Sequence, residues 1–376
     1  MKVCYISSFF TIGGSRPENF LLDRLSKKHR IMIVTSNKLC GCGSTKLKVL
    51  RLNSFIFRDK IVSPALPAKL MDLDVDLFHL RSIGSFHAWV GSFIGKFRNI
   101  PTLLTMDWNL HDIVRYRPAI IYDFIIKYLA IKTTNLLTVY TNYQKEKLIE
   151  NGAEAEKIEV VPNGVEYDRY SKIKKSKKGK AKLGLDPNNK IILMVSRISP
   201  EKNIELLITS FSRLKKEHDD IKLLLVGPKS TLRLKPTEDY YEKLESLTRR
   251  LKIEEDVIFY GPIDYSEIEK AYAAADIFAF SSPAEGFGNV LLQAVASGLP
   301  IVSTPVGIGP ELIENGNCGV LAKDARSFTE GLDLLLSEKS LREKMGRNGR
   351  KIAKDYSWKK IASRYEKIYQ RCVSQT

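Results

Sequence analysis

Apolar residues along this chain fall into short continuous runs separated by longer stretches in which they recur every third or fourth position. "MKVCYISSF" reads as a first strand, "SRPENFLLDRLSKKHR" as a helix and "IMIVTS" as a second strand. The runs "LFHL", "TLLTM", "LLTVY" and "IEVVP" follow, with amphipathic stretches between most of them. The pattern then restarts with "IILMVS", "IKLLLVG", "VIFYG", "DIFAFSS" and "PIVST", each separated from the next by a helical period. Strands that are apolar along their whole length and alternate with helices belong to parallel sheets covered on both faces. Two such series predict an α/β protein of two doubly wound, Rossmann-like domains.

Length agrees, since 376 residues exceed what one core serves well. Residues 167–190, "YDRYSKIKKSKKGKAKLGLDPNNK", lie between the two series and read as an exposed, Lys-rich connector or domain edge. From Ser357 the pattern becomes an amphipathic helix with Trp358, Ile361, Tyr365 and Ile368 on one side.

Composition is that of a folded, soluble chain, 44% hydrophobic and 27% charged. Its formal charge of +17 favours an anionic partner: nucleotide phosphates or an anionic lipid surface. Nucleic acid is not expected, because the cations do not alternate with stacking aromatics and no nucleic-acid module is present. Cys4, Cys40, Cys42, Cys318 and Cys372 are scattered, and Cys40-Gly-Cys42 lacks a second ligand pair, so reduced thiols and no metal are expected. The most apolar long stretch, 120–140, is interrupted by Asp123, Lys127 and Lys132, which excludes a spanning helix of about 18 residues. With no signal peptide evident, a cytoplasmic protein is expected. Ser82 to Arg98 carries Phe86, Trp89, Phe93 and Phe97 and ends in Lys96 and Arg98. It reads either as a core helix or as an aromatic face resting on the cytoplasmic surface of an anionic membrane.

In open α/β sheets, ligands bind beyond the C-terminal ends of strands. Four loops there carry candidate chemistry. In "SSFFTIGGSRPENF", Gly13 and Gly14 let backbone N–H groups approach a phosphate, or simply make a tight turn. In "VSRISPEKNIELL", Ser199-Pro200 predicts a helix start with Lys202 in its first turn and Arg197 just before it. Two cations at a helix N-terminus are locally unfavourable, which a bound diphosphate would relieve; otherwise they are solvated surface charges. In "DIFAFSSPAEGFGNVLLQAVASGLPIVST", Gly298 and Pro300 explain where the helix stops, but nothing in the fold explains Glu285. Gly286 and Gly288 free N–H groups beside Glu285, and Gln293 lies about a turn further in; an ordinary capping loop is the alternative. In "PTLLTMDWNLHDIVRY", Asp107, His111 and Asp112 follow a strand and have the chemistry to serve an acceptor hydroxyl.

Taken in order, these segments resemble the family-four retaining glycosyltransferases of the group 1 type, which have the GT-B architecture of two facing domains with a cleft between them. The resemblance rests on Gly13-Gly14, "VVPNGVEYDRY", "SRISPEKNIELLI", "VIFYGPID" and "SSPAEGFGNVLLQAVASGLPIVSTPVG", and it spans nearly the whole chain. It implies an acceptor-side domain over 1–165, rejoined by the final helix at about 357–376, and a donor-binding domain over 166–356. It implies a metal-independent hexosyltransferase that takes a UDP- or GDP-linked sugar and needs no cofactor. The acceptor would be a lipid-linked or saccharide hydroxyl, in glycolipid, polysaccharide or lipid-linked oligosaccharide synthesis. Arg197 and Lys202 would hold the diphosphate and Glu285 the donor sugar. Backbone groups of Phe287, Gly288, Asn289 and Val290 would hold sugar hydroxyls and phosphate, and the loops at Gly227 and Pro262-Ile263 would flank the base.

Two positions depart from the family pattern. Gln293 stands where a ribose-binding Glu is common, and Asp107 stands where a His is common, with His111 four residues later. These departures leave a second reading open, a catalytically weak nucleotide-sugar-binding subunit.

Overall fold

The computed structural model describes residues 1–12, 16–38, 45–57, 60–106, 128–174, 177–229 and 238–375. They form two compact units, Met1–Gly164 with Trp358–Thr376, and Val165–Ser357.

The first unit is built on β1 (Lys2–Ile6), β2 (Arg30–Ser36), β3 (Lys48–Leu52), β6 (Leu77–Arg81), β7 (Thr102–Thr105), β8 (Leu136–Val139) and β9 (Ile158–Val160). They pair in parallel in the order β3-β2-β1-β6-β7-β8-β9. A short antiparallel hairpin, β4 (Phe55–Phe57) and β5 (Lys60–Val62), stands apart from this sheet. One face of the sheet is covered by the helices Pro17–Leu25 and Trp358–Ser374, whose Leu22, Trp358, Tyr365 and Tyr369 share a core with Tyr5. The first helix stops at Leu25, well short of the predicted Arg30, which opens β2. The helix Phe86–Phe97 covers the other face, with Ala88 and Ile94 packed among Ile6 and Leu80.

A buried polar seam joins the last helix to this sheet. His79 is held between the hydroxyls of Tyr369 (2.7 Å) and Thr105 (2.8 Å), and Thr105 in turn meets Thr138 at 2.6 Å. Burial lowers the His79 pKa to about 3, so the imidazole stays neutral and works as a hydrogen-bonding strut.

The second unit contains β10 (Lys190–Val195), β11 (Ile221–Val226), β12 (Val257–Gly261), β13 (Ile277–Phe280), β14 (Ile301–Ser303) and β15 (Gly319–Leu321), in the order β12-β11-β10-β13-β14-β15. Its strands are likewise parallel. One face packs on Ile204, Leu207 and Phe211 of the helix Ile204–Leu214 and on Phe328 and Leu332 of the helix Ala325–Ser337. Of the two readings of the Lys-rich stretch, a connector and a domain edge, the structure agrees with the second. Tyr170 is fully buried, 5.7 Å from the Tyr272 ring, and Leu183 and Leu185 are buried too, so the described part of 167–190 belongs to the second unit as folded chain; Lys172 and Lys174 are exposed, while Lys180 is mostly buried and pairs with Asp276 at 2.9 Å.

Strand order fixes where ligands enter. Order reverses between β1 and β6 in the first unit and between β10 and β13 in the second. At such a point the connections leave toward opposite faces and open a crevice beyond the strand ends. No described helix is long and apolar enough to cross a membrane.

Candidate active site

The crevice of the second unit is bounded by the chain after β10 and the chain after β13. After Val195 the backbone passes Arg197 and makes a single 3₁₀ turn, Pro200–Lys202. Asn203 then adopts a left-handed conformation (φ 47°), and the α-helix begins at Ile204. Sequence reading placed Lys202 inside the first turn of that helix, with Ser199 capping it. The structure corrects this: Ser199 makes no capping bond, and Lys202 precedes the helix. The tight turn lifts the Lys202 ammonium away from that helix end and points it across the crevice.

There it meets Glu285. Lys202 Nζ lies 2.6 Å from Glu285 Oε2, and the two side chains are 13% and 23% exposed. Ser281 Oγ donates to the Lys202 carbonyl at 3.0 Å and binds the two loops together. Arg197 is half exposed and pairs with Glu201 at 3.1 Å. The cation pair expected from sequence is therefore not bare, since each member has an acidic partner. An ammonium has three donors, and Lys202 has one committed to Glu285. Two remain for a ligand, as does the second oxygen of Glu285.

Glu285 leads into Gly286, Phe287 and Gly288, and then into the helix Asn289–Ala296. Gly288 sits at φ 87°, where a side chain is strained, and it caps the helix without offering a side-chain acceptor. The first turn carries no acidic residue. The positive end of this helix is thus left uncompensated by its own sequence, and the N–H groups at Asn289 and Val290 face it. Three buried polar atoms around these loops have no hydrogen-bond partner: Ser199 Oγ, Ser282 Oγ and Asn289 Oδ1. Orphaned polar atoms are costly in a finished core, and their grouping here marks a place built to receive a polar ligand.

The loop after β14 braces the glycine turn from behind. Ile308 N–H donates to the Phe287 carbonyl at 2.7 Å, and a Cβ on Gly307 would lie 2.3 Å from that same oxygen. On the other side, Gly227 N–H donates to the Gly261 carbonyl (2.9 Å), which sets the ends of β11 and β12 side by side. Pro262 is exposed and Ile263 partly so, just beyond.

Gln293 behaves differently from its sequence reading. Its Oε1 accepts a hydrogen bond from the buried Tyr272 hydroxyl at 2.9 Å. That bond orients the amide, so the side chain presents N–H donors to any ligand, with its carbonyl already engaged. A carboxylate at this position would still accept from Tyr272 with one oxygen and offer the other as a charged acceptor. Gln293→Glu is therefore expected to tighten nucleotide binding about five-fold, the worth of one neutral hydrogen bond becoming charged. Titration calorimetry reads this directly, and an unchanged or weaker dissociation constant contradicts it.

In the first unit, Gly13, Gly14, Asp107 and His111 lie outside the described residues. The described part of this unit holds a buried ion pair that sequence reasoning missed. Glu18, on the first turn of the helix Pro17–Leu25, is 3.0 Å from Arg81 at the end of β6, and the carboxylate is almost wholly buried. Arg81 also donates to the Tyr5 hydroxyl (3.2 Å). An acid thus stands in the first turn of this helix, with its charge met by Arg81. Among the described residues no cluster of three or more His, Cys, Asp and Glu is placed to hold a metal ion.

Two family models fit this chain: "Glycosyltransferase Family 4" over residues 21–169 and "Glycosyl transferases group 1" over residues 175–352. The chain belongs to the group 1 glycosyltransferases. The two segments correspond to the two units and leave little of the chain unmatched. A D-inositol 3-phosphate glycosyltransferase of Corynebacterium aurimucosum is 27% identical over 321 residues, 82% of this chain and 74% of that protein. The alpha-monoglucosyldiacylglycerol synthase of Streptococcus pneumoniae is 28% identical over 291 residues, 73% of this chain and 64% of that one. Among solved structures, Anabaena HepE in complex with UDP superposes with a TM-score of 0.81 at 20% identity, covering 99% of this chain and all of its own. The fold of this glycosyltransferase is thus GT-B.

Proposed function

We propose that this glycosyltransferase moves a hexosyl group from a UDP-linked sugar to a hydroxyl of a membrane-borne acceptor, with retention of configuration and without a metal ion. One observation carries the reading: the Lys202–Glu285 pair stands at the strand-order reversal of the second unit, beside an uncapped helix N-terminus. Relatives support the choice of substrates. HepE structures contain UDP and UDP-glucose, and the named activities of two relatives are glycosylation of inositol 3-phosphate and of a diacylglycerol lipid.

Each part has a role in such a transfer. Breaking the anomeric bond puts negative charge on the departing diphosphate. The two spare donors of Lys202, the Arg197 guanidinium and the N–H groups at Asn289 and Val290 stabilise that charge as it forms. Positive charge grows on the sugar ring, and the free oxygen of Glu285 accepts hydrogen bonds from its hydroxyls. Lys202 thereby ties leaving group and sugar to one another. Attack from the face that the diphosphate leaves, with a phosphate oxygen taking the acceptor proton, accounts for retention. Peripheral association with the cytoplasmic face of a membrane suits the acceptor and the positive charge of the chain.

A thermal-shift panel of UDP, GDP, ADP and UDP-glucose tests the reading. Binding raises the melting temperature according to ligand concentration over Kd. UDP and UDP-glucose are expected to raise it most. A panel in which no nucleoside diphosphate shifts it overturns the donor assignment, and a covalent glycosyl-enzyme trapped from UDP-glucose overturns the front-face route.

A further inference from the structure

The helix Asn289–Ala296 buries Leu291, Leu292, Ala294, Val295 and Ala296 and leaves Asn289, Val290 and Gln293 partly open. Their spacing puts these three on one helical face. In the proposed transfer the N–H groups of Asn289 and Val290 meet the diphosphate. Gln293 follows one turn, about 5 Å, further along the same face. Glu285 lies on the other side of that first turn and takes the transferred sugar. Gln293 therefore falls on the nucleoside side, where the pentose is the unit next to the phosphates.

What Gln293 offers there is decided by Tyr272. Tyr272, on the helix Glu269–Ala274, is fully buried, with its ring edge-on to Tyr170 at 5.7 Å and stacked on Phe278 at 6.1 Å. Its hydroxyl donates to Gln293 Oε1 at 2.9 Å and has no other hydrogen-bond partner among the described residues. Burial pushes the phenol pKa well above the usual tyrosine range, so the proton stays on the hydroxyl. Turning the amide over would bring its N–H groups to the phenol oxygen and leave the buried O–H unpaired, which is costly. The amide is thus held one way round, with its oxygen inward. Gln293 Nε2 has no protein partner among the described residues and is left for a ligand.

Tyr272 is held in its turn. Arg169 donates to the Tyr265 carbonyl at 2.6 Å and pairs at 2.9 Å with Glu269, the first residue of the Tyr272 helix. The Tyr265 hydroxyl donates to Glu166 at 2.5 Å. A helix pinned at its first turn, with two aromatic rings against Tyr272, keeps the phenol oxygen in place.

We infer that Tyr272 is a positioning residue that sets the polarity of Gln293, so that this glycosyltransferase selects a nucleotide whose pentose oxygen accepts, rather than donates, a hydrogen bond at that point. A carboxylate in the same place would ask for the opposite, because it only accepts. A hydroxyl satisfies either partner, so natural nucleotides hide the difference, and analogues restricted to one role expose it. The inference deepens the proposed donor assignment and rests on it.

The test uses uridine diphosphates that carry, at the 2′ or the 3′ position, a hydroxyl, a methoxy group that only accepts, or an ammonium group that only donates. Dissociation constants are measured by titration calorimetry on the full chain, at a mildly acidic pH that keeps the amine protonated. At the position that Gln293 meets, wild type is expected to prefer methoxy to ammonium. Gln293→Glu is expected to move that preference toward ammonium about a hundred-fold, and Tyr272→Phe, which frees the amide to turn, about five-fold the same way. Comparing variants cancels the bulk of the methyl group and the charge of the ammonium. A purely structural role for Tyr272 would weaken all the analogues alike and leave the preference where it stood. Thermal melts without ligand check that each variant is folded, and Gln293→Glu keeps the inference falsifiable where Tyr272→Phe is not. Preferences at both positions that stay within about two-fold of wild type in Gln293→Glu overturn the inference. Preferences that move in Gln293→Glu but not in a folded Tyr272→Phe remove the role of Tyr272. A wild-type chain that binds no uridine diphosphate removes the proposed donor and this inference with it, whereas UDP binding with unmoved preferences removes this inference alone.

Discussion

Lys202→Ala is expected to lower kcat/KM for sugar transfer about a hundred- to a thousand-fold while the second unit stays folded. The size follows from what the ammonium does. It is mostly buried and touches Glu285, and in the proposed transfer its remaining donors meet the charge that gathers on the diphosphate. Most of the loss should appear in kcat, because the charge that Lys202 meets is greatest in the transition state. Arg197→Ala removes a half-exposed cation with its own partner in Glu201, and a loss of about ten-fold is expected. Glu285→Gln keeps the shape of the pair but removes its charge. If the pair acts as one unit, the double variant Lys202→Ala with Glu285→Gln loses little more than the worse single one. Steady-state kinetics with donor and acceptor varied separately decide this. A Lys202→Ala enzyme within three-fold of wild type in kcat places the leaving group elsewhere.

The buried central strands were legible because burial on both faces leaves a strand no polar positions, and "IILMVS" or "IKLLLVG" can be little else. Edge elements escaped for the opposite reason. β3 reads "KVLRL", half polar because one edge meets solvent, and β15 is three residues long. The β4–β5 hairpin escaped because apolar residues are assigned inward by default, and Phe55, Ile56 and Phe57 point outward. The Phe86 helix was ambiguous in sequence because its aromatic stripe and its glycine stripe have the same period. Only contact distances show which one faces the sheet.

At the candidate site, sequence showed which residues lie in loops after strands, but not their partners. Lys202 and Glu285 are 83 positions apart, and their pairing depends on β10 and β13 being neighbours across the strand-order reversal. The role of Tyr272 was invisible for the same reason. It lies in "AYAAAD", where helical spacing marks it as core, and its hydroxyl matters only because the Gln293 helix packs within reach. Glu18 carried a faint signal, an acid in a first turn after proline, but its burial against Arg81 is a property of the sheet. The 3₁₀ turn at Pro200 was misjudged because Ser-Pro before an apolar run opens an α-helix and a lone turn equally well.

Gly227→Ala is expected to cost the second unit about 3–5 kcal/mol of stability and most of its nucleotide affinity. Two effects add at this position. The backbone sits at φ 147°, a conformation that side chains disfavour by about 1–3 kcal/mol. In addition, a Cβ here would lie 1.8 Å from the carbonyl oxygen of Ser196, a backbone atom that cannot swing aside as a side-chain tip does, in a residue whose N–H donates to the Val226 carbonyl at 2.9 Å. Relief requires the ends of β10 and β11 to separate, and Arg197 is the residue that follows Ser196. The damage therefore reaches the Arg197 loop directly. Gly261 supplies the comparison: it sits at φ 83°, but an added Cβ meets nothing within 4 Å. Gly261→Ala carries only the conformational cost, about 1–2 kcal/mol. Urea denaturation of both variants, with UDP titrated into each, separates strain from collision. Gly227→Ala should fall well below Gly261→Ala in both midpoint and affinity. Equal behaviour would mean that the strand ends yield easily and that Gly227 does not set the position of the Arg197 loop.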